Sequence, residues 1–173
     1  MGAGKIRKLA LAGISIALII LCLYGGSIIK NNKMFFLAFA VIMGSIPYMF
    51  GGIKYGTTAY IASVFLAFAL VPNKIYVLVY AVFGIYPLVK LLSVKSNIVL
   101  QYMIKCIWFN ISVLLSFIIF RNIIYINKFF LTTMGITIVI ITGQILFFIF
   151  DYFFNICANY IYKLLKGVIN DGY

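Results

Sequence analysis

The chain has 173 residues, 66% of them hydrophobic and 9% charged, and its apolar residues form long runs broken by short lysine-bearing segments. At about 20 residues per span this composition predicts roughly five to seven membrane helices in a single transmembrane domain and excludes a separate soluble catalytic domain. The net charge of +12 comes from 14 Lys and Arg against Asp151 and Asp171. Placed between apolar runs, that charge meets lipid headgroups and sets topology, so the lipid bilayer and no nucleic acid is the implied partner.

Lys5, Arg7 and Lys8 precede the first apolar run, residues 9–29. No small-x-small cleavage site follows, which predicts a retained helix rather than a removed signal. Ala10, Gly13 and Ala17 fall at i, i+3 and i+7 and form a stripe that admits a second helix closely, either from the same chain or from a docking partner. The second span, residues 34–50, contains Gly44 and Pro47. A proline break is tolerated in a membrane only where protein or a cavity satisfies the freed carbonyl. The Gly51–Gly56 turn lacks the Gly-Lys-Ser/Thr ending of a nucleotide loop. In the third span, residues 57–71, Ala59, Ser63 and Ala67 make another close-packing face. The fourth, residues 75–92, holds Tyr76, Tyr80, Gly84, Tyr86 and Pro87; either it extends to Leu92 with Lys90 snorkelling, or it stops partway across beside other helices.

The fifth span, residues 98–120, carries Lys105 inside its apolar run. A lysine there costs about 2.5–3.5 kcal/mol unless it snorkels, faces water or finds a partner. Gln101, Lys105, Trp108, Ser112 and Ser116 share one helical face, which belongs inside a bundle or along a cavity. Asn110 lies opposite and asks for a partner on another helix. The last run is too long for one crossing, which predicts a sixth span over residues 129–150 and an amphipathic surface helix over residues 151–166, stopped at Gly167. Thr133, Thr137, Gln144 and Asp151 share a face of this segment. Six spans put both termini on one side, which carries eight Lys and Arg against five on the other and is therefore expected in the cytoplasm.

Lys105 and Gln144 fall at similar depth, about 10 Å from the same boundary, so the fifth and sixth spans can bring their polar faces together. A structural ion pair between Lys105 and Asp151 is expected, with Gln144 able to bridge it. Lys105, Trp108, Ser112, Gln144 and Tyr80 are the candidate substrate-binding residues; the tyrosine and tryptophan rings read first as interfacial anchors or bundle filling, and some could stack on a planar ligand. The chain has no His and no Glu, and Cys22, Cys106 and Cys157 are odd in number and widely spaced. No nucleophile–base pair, paired-carboxylate site, disulfide framework or zinc site can be assembled from these residues, so no catalytic residue, metal or cofactor is assigned and no enzyme is expected.

Six short helices, a basic amino terminus, the Ala10–Gly13–Ala17 stripe and the proline-broken GSIPYMFGG segment together resemble the S components of energy-coupling factor vitamin transporters, chiefly over residues 5–90. The resemblance implies an all-α bundle in the cell membrane that captures a vitamin or related small molecule. It further implies that the first-helix stripe docks on a transmembrane scaffold subunit served by two ATPases. The alternative is a small polytopic membrane protein without a ligand, acting in assembly or protein interaction.

Overall fold

The computed structural model describes residues 3–94, 96–120 and 133–170. Among them the chain is an all-α bundle: α1 Ala3–Ile28, α2 Lys33–Met43, α3 Ile46–Gly51, α4 Ile53–Leu70, α5 Lys74–Phe83, α6 Tyr86–Ser93, α7 Ile98–Phe120 and α8 Thr133–Asn170. A single 3-10 turn, Lys30–Asn32, joins α1 to α2. Taken with their breaks, α2–α3 and α5–α6 each form one crossing, giving six segments long and apolar enough to span a membrane. Large side chains such as Leu21, Phe65, Leu114 and Ile149 are exposed on the outside, as lipid contact requires.

The two broken crossings are built alike. Proline lacks the N–H that would bond the carbonyl four residues back. Accordingly α2 ends at Met43, four before Pro47, and α5 ends at Phe83, four before Pro87. The glycines that follow have nearly the same backbone, φ −61° and ψ −17° at Gly44 against φ −66° and ψ −12° at Gly84. After each break the helix restarts with a matching bond, Met49 N–H to Ser45 O at 3.1 Å and Val89 N–H to Ile85 O at 3.2 Å. The sequence carries the same repeat: Asn32-Lys33 and Asn73-Lys74 open the helices, Ala40-Val41 and Ala81-Val82 precede the breaks, and a Gly-x-x-Pro closes each. Between α3 and α4 the chain turns at Gly52, whose φ of +79° is a conformation glycine adopts without a Cβ penalty.

The core lies between α1, α2, α4 and α5, around Ile19, Leu23, Ala40, Val71, Val77 and Tyr80. Of the second crossing 44% is buried, against 11% of the Ile98–Ser116 stretch of α7, so among the described residues the broken α2–α3 segment is the most enclosed crossing and α7 the least. In lipid, helices gain little from the hydrophobic effect and associate through close packing and interhelical hydrogen bonds. The small residues supply that packing: Ala59, Ser63 and Ala67 of α4 are all buried, and a Cβ on Gly56 would lie 2.1 Å from the Tyr48 ring.

The described residues supply no helix of the same chain to the small-residue stripe of α1. The small-residue stripe of α1 points outward: Ala10, Gly13 and Ala17 are exposed, and a Cβ added to Gly13 would meet nothing within 4 Å. The packed face is instead Ala12, Ser15, Ile19, Leu23 and Gly26, where Phe36 and Tyr76 crowd Gly26. Nor does the last run divide at residue 150. α8 is one continuous helix of 38 residues that passes through Gly167, and Ile141–Leu165 is the membrane-length stretch found among its described side chains. No proline or capping residue interrupts it, and one glycine costs a helix only about 1 kcal/mol.

Candidate functional site

Asp151 is 5% exposed and gathers three partners from two other helices. Lys105 of α7, 7% exposed, places Nζ 2.8 Å from Asp151 Oδ2. Tyr86 of α6 donates its hydroxyl to Oδ1. Lys90 of α6 lies 3.4 Å from the same Oδ1, donates a second hydrogen bond to Asn155 Oδ1, and sits 4.2 Å from the centre of the Phe154 ring. The spacing explains the convergence. Tyr86 and Lys90 stand four apart on α6, and Asp151 and Asn155 four apart on α8, so each pair occupies one helical face and the two faces meet rung by rung. Phe147, Phe150 and Phe154 close around the Tyr86 ring, with centroids 5.3–5.8 Å away, and exclude water from the carboxylate. In such surroundings an unpaired charge costs several kcal/mol, so the ionic contacts are obligatory for Asp151 and Lys105.

The pairing of Lys105 with Asp151 is direct, and Gln144 takes no part in it. Lys90 does not snorkel: its side chain is 16% exposed and turns inward to α8. Sequence reasoning missed both Lys90 and Tyr86 as partners of Asp151. The matched four-residue spacings on the two helices are the signal that would have found them.

Beside this cluster, between α3, α6 and α8, opens a pocket of about 250 Å³. The two helix breaks contribute Ser45 and Pro87 to its wall, and Tyr48, Lys90, Asn155 and Asn159 add polar groups. The Tyr48 hydroxyl is buried with no partner among the described residues.

None of the five expected substrate-binding residues lines this pocket. Tyr80 is 1% exposed and its hydroxyl shares a 3.0 Å hydrogen bond with Ser63 Oγ, which makes it a core tie between α4 and α5. Lys105 lies behind the pocket, held by Asp151. Trp108 Nε1, Ser112 Oγ and Ser116 Oγ form a buried row on α7 without hydrogen-bond partners among the described residues. Gln101 instead donates to Ser96 O at 2.9 Å and ties the connection before α7. Asn110 bonds Cys106 O of its own helix at 2.8 Å and needs no second helix. The Thr133 and Thr137 side chains lie outside the described residues. A second, apolar crevice of about 220 Å³ lies between α1, α2 and α8.

No protein-family model, no curated protein and no solved structure matches the chain.

Proposed function

We propose that the protein is the substrate-binding membrane subunit of a transport system, holding a small molecule in the pocket between α3, α6 and α8. One observation carries the reading: two crossings interrupted by Gly-x-x-Pro at corresponding positions both border one pocket that holds a few polar groups in a largely apolar wall. Helices broken within a membrane persist where freed backbone groups line a cavity or meet protein, and paired interruptions in repeated segments are the usual mark of a transporter's binding site. The chain holds no nucleotide-binding loop, so energy would come from other subunits, in the manner of an energy-coupling factor transporter that takes up a vitamin or related compound through a scaffold and two ATPases. The exposed Ala10–Gly13–Ala17 stripe supplies a surface for that scaffold. With both termini cytoplasmic, the pocket opens toward the side on which cargo is released.

Purification in native lipid followed by mass spectrometry tests this reading. A co-purifying small molecule or a pair of ATPases is the expected result, and their repeated absence under mild conditions would overturn it. The same uncovered stripe also favours a second reading, in which the protein only assembles with a membrane partner. Gly13→Leu separates the two. Transport predicts lost uptake with ligand binding intact, whereas pure assembly predicts a lost partner and no ligand in either form.

A further inference from the structure

The cluster around Asp151 is not electrically balanced. Lys90 and Lys105 face a single carboxylate, and no other acid occurs among the described residues. The two lysines are not equivalent. Asp151 Oδ2 is taken by Lys105 at 2.8 Å, and Oδ1 already accepts the Tyr86 hydroxyl, which leaves Lys90 at 3.4 Å as the more loosely held cation. It is also Lys90, not Lys105, that lines the pocket. Around it the polar wall donates more than it accepts. Asn155 spends its side-chain oxygen on Lys90 and keeps two amide N–H donors, and Asn159 adds two more donors beside one acceptor oxygen. No carboxylate stands in the wall.

We propose that this pocket binds an oxyanionic group, a carboxylate or a phosphate, with Lys90 as its counter-ion; the proposal rests on the pocket being the ligand site put forward above. The bound anion completes the charge balance that Asp151 leaves half done, and the asparagine amides orient it. A volume of about 250 Å³ suits a charged head with a small organic body rather than a whole dinucleotide. Two sources offer this chemistry. Lys90 stands three residues before Ser93 at the end of its crossing, about 5 Å along the axis, so a lipid phosphodiester comes within reach as readily as a free metabolite.

The test uses the full chain in neutral detergent at constant ionic strength, with the thermal midpoint as readout. The probes are inorganic phosphate, benzoate and phosphatidylglycerol, each against chloride or phosphatidylcholine. At least one of the three should raise the wild-type midpoint by several degrees. Lys90→Gln should lose that response. Asn155→Asp, which sets a carboxylate where the ammonium already bonds an amide oxygen, should melt near the anion-loaded wild type and respond to no anion. A soluble probe acting alone assigns a free ligand, and phosphatidylglycerol acting alone assigns a lipid headgroup and removes the soluble cargo. The inference is overturned if no probe exceeds its neutral control, or if either variant keeps the full response. Should Lys90→Gln fail to fold, Asn155→Asp still decides, since it adds the missing charge rather than removing one. Uptake retained without any anion response would sink this inference alone and leave the transport reading standing.

Discussion

The two broken crossings share a backbone and differ in what they carry three residues past the proline. After Pro47 that position is Phe50, whose ring stacks on Tyr162 of α8 at 5.5 Å with an interplanar angle of 21°. After Pro87 it is Lys90, which reaches Asp151 and Asn155 on the same helix. One device, a Gly-x-x-Pro restart, thus aims a side chain at α8 twice, once for an aromatic contact and once for an ionic one. The backbone sets where the contact falls, and a single residue decides its chemistry. Two copies of one motif thereby make contacts of different kinds, with the apolar copy free to act as a fixed anchor.

The sharpest way to break the ionic copy is Asp151→Asn. It leaves Lys105 and Lys90 without a carboxylate in a water-poor interior, and removing one partner of a buried pair costs about 3–5 kcal/mol. A large drop in the thermal midpoint of the purified protein is expected. A stability within about 0.5 kcal/mol of wild type would mean that the lysines reach water and that the cluster is not closed.

The restarts themselves come next. At Gly84 a Cβ would stand 2.7 Å from Tyr80 O and 3.0 Å from the Tyr60 ring. At Gly44 the nearest atom is Val41 O at 3.2 Å. Gly84→Ala should therefore cost about 1–3 kcal/mol, as overpacking does. Gly44→Ala should lie within about 1 kcal/mol of wild type, because its helical φ suits alanine and the gain in helix propensity offsets the crowding. Equal effects in unfolding titrations would show that the two breaks are not packed differently. A smaller change is expected in the aromatic copy, where Phe50→Ala removes a ring pair worth about 0.5–1.5 kcal/mol beyond its buried area.

Hydropathy made six membrane-length helices legible, and the periodicity of Ala59, Ser63 and Ala67 located a packed face, where Ser63 meets Tyr80 of α5. The same reasoning could not decide what the Ala10–Gly13–Ala17 face of α1 packs against. A helix that is apolar all round presents no contrast between its lipid and protein sides, so Ala10–Gly13–Ala17 and Ala12–Ser15–Ile19 look alike on a wheel. Asp151 and Lys105 were legible as partners because each is rare and costly at its depth. Lys90 was not, because a lysine near the end of a span ordinarily snorkels and nothing within α6 says otherwise. Only the meeting of two four-residue ladders on separate helices reveals its role, and that meeting depends on the Pro87 restart, which turns Lys90 toward α8.

The smallest effect is expected where the contacts are most numerous. Lys90→Met forfeits a hydrogen bond to Asn155, a 3.4 Å contact with Asp151 and a cation–π contact with Phe154, and a tally of contacts would rank it as severe. Charge argues the reverse. The variant keeps the shorter Lys105–Asp151 pair and the Tyr86 hydrogen bond, and it brings the buried cluster from one excess positive charge to neutrality. Methionine also fills the lysine stem's volume beside Phe154 with a flexible apolar chain. Replacing a desolvated ion by a well-packed apolar residue is often neutral or stabilising. The anion-free protein should thus change by less than about 1 kcal/mol. A loss comparable to that of Asp151→Asn would show that Lys90 is a structural member of the cluster on the same footing as Lys105, and that the second break, like the first, is an anchor and nothing more.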